Sequence, residues 1–483
     1  MGNYANYLLM LVLAAGLVFA AVVAIRTAAF RPKAQPALRK EDVQFDRLAA
    51  VTALTQLVRC KTISYNDRSM EDDGEFDKLI SLLPGLYPRV FDVCSVSQLP
   101  DRALLLRWPG KDHGDPAVLM AHYDVVPVNE ENWEKPPFAG IIEDGVLWGR
   151  GTLDTKVTLN GILSAADYLI GKGFQPENDV YFAFSGGEEI AGNGACNIVR
   201  YFMDHHIQPA LVVDEGGAVV ENVFPGVEQP CGLIGIAEKG MMNVQYRVRS
   251  AGGHASAPKP HTPVGVLAAA CKRVEDHPFK AHIQGPAGQM FDILGRHSSL
   301  LYRIIFANMW CFGWVIDLLG RITGGEMNAL VRTTSAFTQM EGSSARNVIP
   351  PEARMVANMR LNPADSVASA QAYLVKTVKN PEVEITVLES SEPSSVSQTD
   401  CPAWDKVASA VANTWPGCIV APYLMVQCSD SRHYGKLSNH VYRFSAMDMT
   451  AEERATIHGN NERIRLESIH KAVEFYIRLM RQC

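Results

Sequence analysis

The sequence predicts an α/β fold in which a mixed β-sheet is flanked by helices, with a small α+β domain inserted into the chain. Short apolar runs such as Ala117–Met120 and Val180–Phe184 alternate with helix-like stretches such as Thr158–Ile170. Segments that bear acids and histidines follow these runs. They would therefore lie at the carboxyl edge of such a sheet, where functional sites usually occur. The length of 483 residues is also too great for one ordinary core.

Five segments that bear acids and histidines give the strongest indication of chemistry. In chain order they are AHYDVVP with His122 and Asp124, GRGTLDTK with Asp154, GGEEIAG with Glu188 and Glu189, VVDEGG with Asp214 and Glu215, and IHGNNE with His458. Imidazole and carboxylate are ligands of zinc and similar first-row ions, and one carboxylate can bridge two ions about 3.5–4 Å apart. The segments therefore supply enough ligands for two divalent metals and one further acid as general base.

Local patterns favour particular roles for two of these segments. If the chain around His122 is a strand, the side chain of Asp124 points the same way and can orient the imidazole. Glu188 and Glu189 follow the strand-like run Val180–Ser185. At such a strand end, one glutamate can bind metal while its neighbour takes a proton from water.

Together these motifs resemble those of the di-zinc aminoacylase and carboxypeptidase S family of amidohydrolases. That family also includes carnosinase-type dipeptidases and amidases that act on N-fatty-acyl amino acids. The resemblance extends from about Asp42 to the C-terminus and includes a GGHAS lid motif around His254. It implies a di-zinc exopeptidase-like catalytic domain with an inserted α+β lid.

The resemblance also implies a role for each residue of the motifs. The implied ligands are Asp154 as the bridge, His122 on one metal, and Glu189 with His458 on the other. The remaining ligand of the first metal is Asp214 or Glu215, and spacing leaves open which, although neighbours on a strand face opposite sides. Glu188 would be the general base and Asp124 the partner of His122. Two zinc ions per subunit are expected, with cobalt or manganese as alternatives.

Further candidate residues belong to the lid and to a later loop. The resemblance implies that His254 reaches the active site of a neighbouring subunit in a homodimer and stabilises the oxyanion there. Asn347 and Arg360 match lid positions that contact the carbonyl and carboxylate of the substrate, and arginine suits a carboxylate because it makes paired hydrogen bonds. The loop Ser429–His433, with Ser429 and Arg432 as candidates, resembles the loop of the family that lines the same pocket.

We expect four segments along the chain. Residues 1–41 would form a membrane anchor and linker, and residues 236–393 a lid and dimerisation domain. The catalytic domain would consist of residues 42–235 and 394–483. The lid contains a helix-like run, Pro263–Val274, and a strand-like run, Ala353–Arg360. No zinc-ligand motif occurs between about Ile236 and Glu392. The globular part is expected to begin near Glu41.

The expected function is metal-dependent hydrolysis of a peptide or N-acyl amide bond next to a free α-carboxylate. The substrate would be a small peptide or an N-acyl amino acid. The alternatives are a soluble-type dipeptidase or deacetylase, and a non-catalytic binding protein on the same fold, which loss of Glu188 or a ligand would have indicated. The net charge is −7 and the body of the chain has no basic run. This charge pattern does not indicate a nucleic-acid-binding protein.

The N-terminus predicts a single-pass membrane anchor. Tyr7–Ile25 is an apolar run of 19 residues, about what a helix needs to cross a bilayer. Because the segment lacks a basic n-region and exceeds the usual apolar core of a signal peptide, we expect it to remain uncleaved. The nearby basic residues all follow the run, and the positive-inside rule would place the enzyme on the cytoplasmic side. They are Arg26, Arg31, Lys33, Arg39 and Lys40.

A second apolar segment lies within the expected lid, between Phe291 and Gly320. Its stretch Ile304–Ile316 is 13 residues without charge, too short to span a bilayer and typical of a buried or interfacial helix. One interpretation is helix packing within an enlarged lid. The other is an apolar surface for acyl chains, formed by Phe306, Trp310, Phe312 and Trp314.

Overall fold

A computed structural model of the chain describes residues 2–39 and 43–483, so the expected start of the globular part near Glu41 lies outside the described residues. The helices within these ranges are α1 (Gly2–Ala29), α2 (Arg47–Val58), α3 (Asp73–Leu86), α4 (Pro88–Val93), α5 (Lys156–Gly171), α6 (Gly194–Asp204), α7 (Pro263–Asp276), α8 (Gly285–His297), α9 (Leu300–Ala307), α10 (Met309–Thr323), α11 (Gly325–Val331), α12 (Val367–Val378), α13 (Pro402–Thr414), α14 (Ala451–Arg454) and α15 (Leu466–Met480). The strands are β1 (Ser95–Leu99), β2 (Ala103–Trp108), β3 (Asp112–His122), β4 (Ile141–Glu143), β5 (Val146–Trp148), β6 (Asn178–Ser185), β7 (Leu211–Val220), β8 (Cys231–Glu238), β9 (Gly240–Arg249), β10 (Gly253–His254), β11 (Thr334–Glu341), β12 (Val348–Ile349), β13 (Glu352–Leu361), β14 (Glu384–Ser391), β15 (Ile419–Met425), β16 (Val441–Met449) and β17 (Arg463–Arg465).

The chain forms two units, which we describe separately. The larger unit comprises Lys33–Ile236, Ser397–Tyr423 and Ser429–Cys483. The smaller unit comprises Met1–Pro32, Ala237–Val396 and Leu424–Cys428. The assignment of catalytic, lid and anchor functions to segments stays a prediction.

A mixed sheet organises the larger unit and confirms the predicted fold class. Within the described residues its strand order is β1-β2-β6-β3-β7-β16-β8-β15. Strands β6, β3, β7 and β16 run parallel to one another. At one edge β2 pairs antiparallel with β6 and with β1, and beyond β16 the strand β8 is antiparallel. Parallel strands covered on both faces are apolar throughout, as Ala117–Met120 of β3 and Val180–Phe184 of β6 are.

Helices cover both faces of this sheet. On one side α5 and α15 pack together, and Gly161 permits their close approach because a Cβ there would lie 3.1 Å from a ring carbon of Tyr476. Elsewhere α6 packs on the sheet through Ile198 and Phe202. The predicted helix Thr158–Ile170 lies within α5.

The smaller unit contains an antiparallel sheet with the order β11-β13-β9-β14 among the described residues. Burial alternates along β9 and β13, so one face of the sheet forms a core with α7 and α12. The hydroxyl of Ser366 accepts the Ser369 N–H at 3.1 Å in a capping box that begins α12. The predicted helix Pro263–Val274 lies within α7, and the predicted strand Ala353–Arg360 lies within β13.

The smaller unit also contains the N-terminal helix and the apolar insertion. In α1, Tyr4–Ala29 is 26 residues with a mean hydropathy of 3.0, long and apolar enough to cross a membrane, as a signal sequence also is. The stretch Ile304–Ile316 does not form the single helix expected, because α9 and α10 are bent by 114° at Asn308. The Asn308 side chain donates a hydrogen bond to the Ile304 carbonyl at 2.9 Å, the kind of local bond that competes with helix continuation.

Candidate metal centre

The candidate site lies at the carboxyl ends of parallel strands in the larger unit. Strand β3 ends at His122, and the turn Glu188–Ile190 follows the end of β6. Glu215 lies on β7, which pairs with β3. Because the ends of parallel strands meet at one edge of a sheet, these residues come together although they are far apart in the chain.

Asp154 lies between two histidines. Its Oδ1 is 3.0 Å from Nε2 of His122, and its Oδ2 is 3.0 Å from Nε2 of His458. The same nitrogen of His122 lies 3.2 Å from Oε1 of Glu215, and that of His458 lies 3.0 Å from Oε2 of Glu189. One carboxylate is thus shared by two clusters, each with a histidine and a further acid.

The structure separates the two neighbouring acids on β7. Asp214 is buried, and its Oδ2 accepts a hydrogen bond from the Ser431 N–H at 2.9 Å. Glu215 instead faces His122. Successive side chains on a strand point to opposite faces, so the two acids have different surroundings. The geometry favours Glu215 over Asp214 as the acid of the cluster.

Asp124 supports both the histidine and the pair of glutamates. Nδ1 of His122 donates to the backbone oxygen of Asp124 at 3.0 Å and lies 3.5 Å from its carboxylate Oδ1. The carboxylate also accepts the N–H groups of Glu188 at 3.1 Å and Glu189 at 3.2 Å, and the hydroxyl of Ser64 at 2.7 Å. Asp124 therefore holds the turn that presents both glutamates, a contact that its spacing from His122 did not predict.

The protonation equilibria of the acids reflect crowded negative charge. Burial raises the pKa of Glu188 well above its ordinary value, and the nearby carboxylates of Asp430, Glu215 and Glu189 add to the effect, whereas His122 opposes it. Burial likewise raises the pKa of Glu215 to about 8, although His122 lowers it. Such a set of acids is stabilised by adjacent positive charge.

For Asp154 and the two histidines, the surroundings favour the charged form. Although burial opposes it, the pKa of Asp154 is lowered because hydrogen bonds from His122 and His458 stabilise its charge. Hydrogen bonds to Asp154 and Glu189 raise the pKa of His458 to about 10. Burial alone would lower the pKa of His122, but the charge of Glu215 and hydrogen bonds to Asp124 and Asp154 raise it well above its usual value.

The donor set fits divalent metals. In the described part of the chain, ligand atoms of His122, Asp154 and Glu189 all lie within 4.8 Å of one another, as do those of His122, Glu188 and Glu215. Oε1 of Glu189 is buried and has no hydrogen-bond partner among the described residues. A buried carboxylate oxygen needs a partner, and zinc accepts both imidazole and carboxylate ligands.

Glu462 and Arg150 form a support that the sequence analysis did not identify. Both side chains are almost fully buried, and Oε2 of Glu462 lies 2.5 Å from Nη1 of Arg150. Glu462 also accepts the N–H groups of Gly151 at 3.1 Å, Leu153 at 2.7 Å and Asp154 at 3.2 Å. The pair thereby fixes the backbone that carries Asp154. Its members stand inside the GRGTLDTK and IHGNNE motifs, which was the available signal.

The predicted lid residues lie in the smaller unit. His254 is exposed on β10, where it pairs with Val348 of β12, and its Nδ1 lies 2.7 Å from Oγ of Ser256. The carbonyl of Asn347 accepts the Ala255 N–H at 2.9 Å, which places Asn347 beside His254. Arg360 stands near the end of β13, with Nη1 3.4 Å from Sγ of Cys428.

The loop candidates lie in the larger unit. Ser429 is buried and caps the turn Asp430–Lys436, and its carbonyl accepts a hydrogen bond from Nη1 of Arg432 at 3.2 Å. Ser431 between them contacts Asp214. The structure thus brings the histidines and acids of the motifs together with this loop in one unit, and places His254, Asn347 and Arg360 in the other.

Comparisons with known proteins identify the family. The model described as Peptidase family M20/M25/M40 matches residues 118–482. The N-fatty-acyl-amino acid synthase/hydrolase PM20D1 of Xenopus tropicalis is 36% identical over 443 residues, which cover 90% of this chain and 86% of the relative. The probable carboxypeptidase S-like 2 of Dictyostelium discoideum is 34% identical over 436 residues, 89% of this chain and 84% of the relative.

A solved structure agrees in fold. The M20 family metallo-carboxypeptidase Sso-CP2 of Sulfolobus solfataricus matches with a TM-score of 0.64 at 17% identity, covering 91% of this chain and 99% of that one. The resemblance inferred from the motifs is therefore confirmed. The chain belongs to the M20/M25/M40 peptidase family and is a metal-dependent amidohydrolase.

Proposed function

We propose that the protein is a di-zinc hydrolase of N-acyl amino acids, anchored in a membrane by its N-terminal helix and active as a homodimer. The observation that carries the proposal is the position of Asp154, whose two oxygens each lie 3.0 Å from Nε2 of a different histidine. A carboxylate shared in this way suits a site in which two metals act on one water.

Two overlapping sets of residues would hold the metals. His122, Asp154 and Glu215 would bind one ion, and Asp154, Glu189 and His458 the other. Zinc suits this mixture of nitrogen and oxygen ligands, and cobalt or manganese would accept the same set. When bound, such ions polarise a carbonyl group and lower the pKa of water to about 7.

Glu188 would perform the proton transfers. Its backbone is fixed by the bond from its N–H to Asp124, and burial raises its pKa well above the ordinary value. A raised pKa suits a carboxyl group that must both accept and donate a proton. In the proposed reaction Glu188 takes the proton of the attacking water. It then delivers this proton to the nitrogen of the leaving amine.

Recognition of the substrate would fall to the lid residues and the loop. Arg360 would grip the free α-carboxylate, because its planar guanidinium matches the two oxygens of that group. His254 and Asn347 would stabilise the negative charge that develops on the scissile carbonyl oxygen, acting across a homodimer. Ser429 and Arg432 would line the same pocket.

The acyl group of the substrate is proposed from two observations. The PM20D1 relative is named for N-fatty-acyl amino acids, and the insertion exposes Trp310 and Trp314, at 58% and 64% of their surface. Phe306 is instead buried against Phe291, with ring centroids 5.7 Å apart, and would not contact substrate. A carboxypeptidase or dipeptidase that acts on short peptides is the second candidate, favoured by the carboxypeptidase S-like relative.

The location of the enzyme forms part of the proposal. α1 would remain as a single-pass anchor, and the basic residues that follow its apolar run would place the enzyme on the cytoplasmic side. The same helix has the length and composition of a signal sequence. The mass of the mature protein distinguishes these cases.

A hydrolysis screen of N-acetyl, N-oleoyl and glycyl amino acids, with and without chelator, tests the proposal. We expect chelator to abolish activity, and kcat/KM to rise with acyl length because each buried methylene contributes roughly 0.8 kcal/mol. Trp310→Ala should flatten that rise. A flat profile in the unchanged enzyme would exclude the long-chain substrate and favour a short-peptide carboxypeptidase.

A further inference from the structure

A cleft of about 690 Å³ lies between α1 and α9 in the smaller unit. On α1 its lining residues run from Phe19 to Ala28, Arg31 follows the end of that helix, and on α9 they are Leu300, Arg303 and Ile304. The lining positions on each helix recur at intervals of three or four residues, so each helix contributes one face. The cleft is therefore a groove along the helix that is long enough to span a membrane.

Polar bonds hold α1 against the insertion. Asn308 is fully buried at the bend between α9 and α10, and its Nδ2 donates to Oγ1 of Thr27 at 3.1 Å. Nε of Arg26 donates at 3.2 Å to the carbonyl that precedes Asn308. Further along α1, the ring of Phe19 meets that of Trp310 edge-on at 5.8 Å. The helix α1 thus packs against the insertion, and its removal would leave Asn308 without these partners.

The dimensions of the cleft match one leaflet of a bilayer. At a rise of 1.5 Å per residue, the distance along α1 from Phe19 to the end of the helix at Ala29 is about 15 Å. Half of the hydrocarbon core of a bilayer is about 15 Å thick. An acyl chain that lies along α1 would therefore place its headgroup beside Arg31.

Charge at the end of the cleft indicates an anionic headgroup. Nε of Arg303 is buried and has no hydrogen-bond partner among the described residues. Within the same residues no carboxylate forms an ion pair with Arg303, and Arg31 lines the same cleft. A buried guanidinium nitrogen without a partner is unfavourable, and guanidinium groups pair closely with phosphate oxygens.

The neighbouring surface extends the apolar contact. Along α10, Trp310, Trp314, Leu318 and Ile322 recur every four residues and are exposed by 58%, 64%, 45% and 72%. Such a stripe on one face of a helix is typical of a segment that lies in a membrane interface. Because this stripe adjoins α1, which is long enough to cross a membrane, lipid is favoured over a second protein as the ligand of the cleft.

We propose that this cleft binds one anionic phospholipid of the adjoining leaflet, with an acyl chain along α1 and its phosphate paired with Arg303 and Arg31. The proposal rests on the membrane anchoring proposed above, but not on the identity of the hydrolysed substrate. It gives α1 a second role beyond anchoring, because the helix forms one wall of a lipid site.

Native mass spectrometry of the full chain in mild detergent tests the site, with phosphatidylglycerol and phosphatidylcholine added in equal amounts. We expect the unchanged protein to retain one phosphatidylglycerol at least tenfold more often than phosphatidylcholine. Arg303→Gln and Ala28→Trp should each lose this retention. The matched variants Arg321→Gln and Ala29→Trp alter residues that do not line the cleft and should keep it.

Several outcomes would overturn the proposal. They are equal retention of the two phospholipids, unchanged retention in both cleft variants, a mass that lacks α1, and a fatty acid or N-acyl amino acid bound in place of phospholipid. The last result would assign the cleft to a substrate-like amphiphile. Hydrolysis of an N-acetyl amino acid is measured on the same samples and should be equal in all of them. In the unchanged protein, absence of lipid selectivity with intact hydrolysis would remove only the lipid site. Absence of hydrolysis with intact lipid selectivity would remove only the proposed function.

Discussion

The two units differ in how far they bury their candidate functional side chains. The larger unit buries charged groups, with His122 at 2% exposure and Asp124 at 0%, and joins them in hydrogen-bonded clusters. The smaller unit leaves His254 exposed and presents the apolar side chains of Trp314 and Ile322 at 64% and 72% exposure.

The difference follows from where each group finds its partner. Buried charge is stable only when neighbours supply compensating charge and hydrogen bonds. The larger unit supplies hydrogen bonds from its own residues, and the proposed metals would supply the remaining positive charge. An exposed apolar stripe costs nothing when another apolar phase covers it. Substitutions in the larger unit should therefore disturb chemistry or folding, whereas those at stripe positions such as Trp314 should disturb only contacts outside the chain.

The largest expected effect is on catalysis, and Glu188→Gln tests it. The substitution should lower kcat by about 10²–10⁴-fold because it removes general acid–base catalysis. Metal content, measured by atomic emission, should be unchanged. Glu189→Gln is the matched variant, and it should lose metal as well as activity. Full activity of Glu188→Gln would remove the proton-transfer assignment.

The next effect is on stability, through the buried pair of Glu462 and Arg150. Glu462→Gln should lower the free energy of unfolding by about 3–5 kcal/mol, because it leaves a buried guanidinium without its counter-charge. Urea unfolding in the presence of chelator separates this effect from metal loss. Glu467 is a matched control, because its side chain is 56% exposed and its ion pair with Arg47 is long, at 3.8 Å. If both Glu467→Gln and Glu462→Gln lowered the free energy of unfolding by the same small amount, burial of the Glu462 pair with Arg150 would not explain its contribution to stability.

A smaller effect is expected from mixing two inactive variants. If exposed His254 acts on a partner subunit, an equal mixture of His254→Ala and Glu188→Gln subunits should regain about a quarter of the activity, since half of the dimers are mixed and each has one intact site. Exchange of subunits is followed by differential tagging. An active protein that sediments as a monomer would contradict action in trans.

The smallest expected effect is at the exposed stripe. Trp314→Gln should change the free energy of unfolding in detergent by no more than about 0.5 kcal/mol, as is usual for exposed positions. In lipid nanodiscs, quenching of tryptophan fluorescence by brominated acyl chains should fall in the variant. A large loss of stability in detergent would show that the stripe packs within the protein, and would contradict the stated difference between the two units.

Much of the fold and part of the candidate site follow from local sequence. The alternation of apolar strands and amphipathic helices predicted the mixed sheet, α5 and α7, because burial periodicity is a local property of the chain. The motifs also predicted which residue types lie together, since imidazoles and carboxylates in that order suit a two-metal site. Their individual roles stay predictions.

Other features depend on contacts between distant residues. The choice between Asp214 and Glu215 was open because spacing cannot say which face of β7 meets the cluster. In the structure Glu215 faces His122, whereas Asp214 accepts a hydrogen bond from Ser431, and the metal ligand itself stays a prediction. The Glu462 bond to Arg150 joins residues 312 positions apart, so no local pattern could predict it.

The apolar insertion also has a feature that depends on a contact with a distant part of the chain. Composition predicted an apolar segment of 13 residues, but it could not show that the bend at Asn308 packs against α1 through a bond to Thr27, 281 positions earlier in the chain. The sequence by itself determined the family, the sheet and the set of metal-binding residue types, because these depend on residue identity and short-range order. Only the tertiary structure decided which acid faces His122, which buried pair supports Asp154 and what α1 packs against, because each depends on a partner that folding brings from far along the chain.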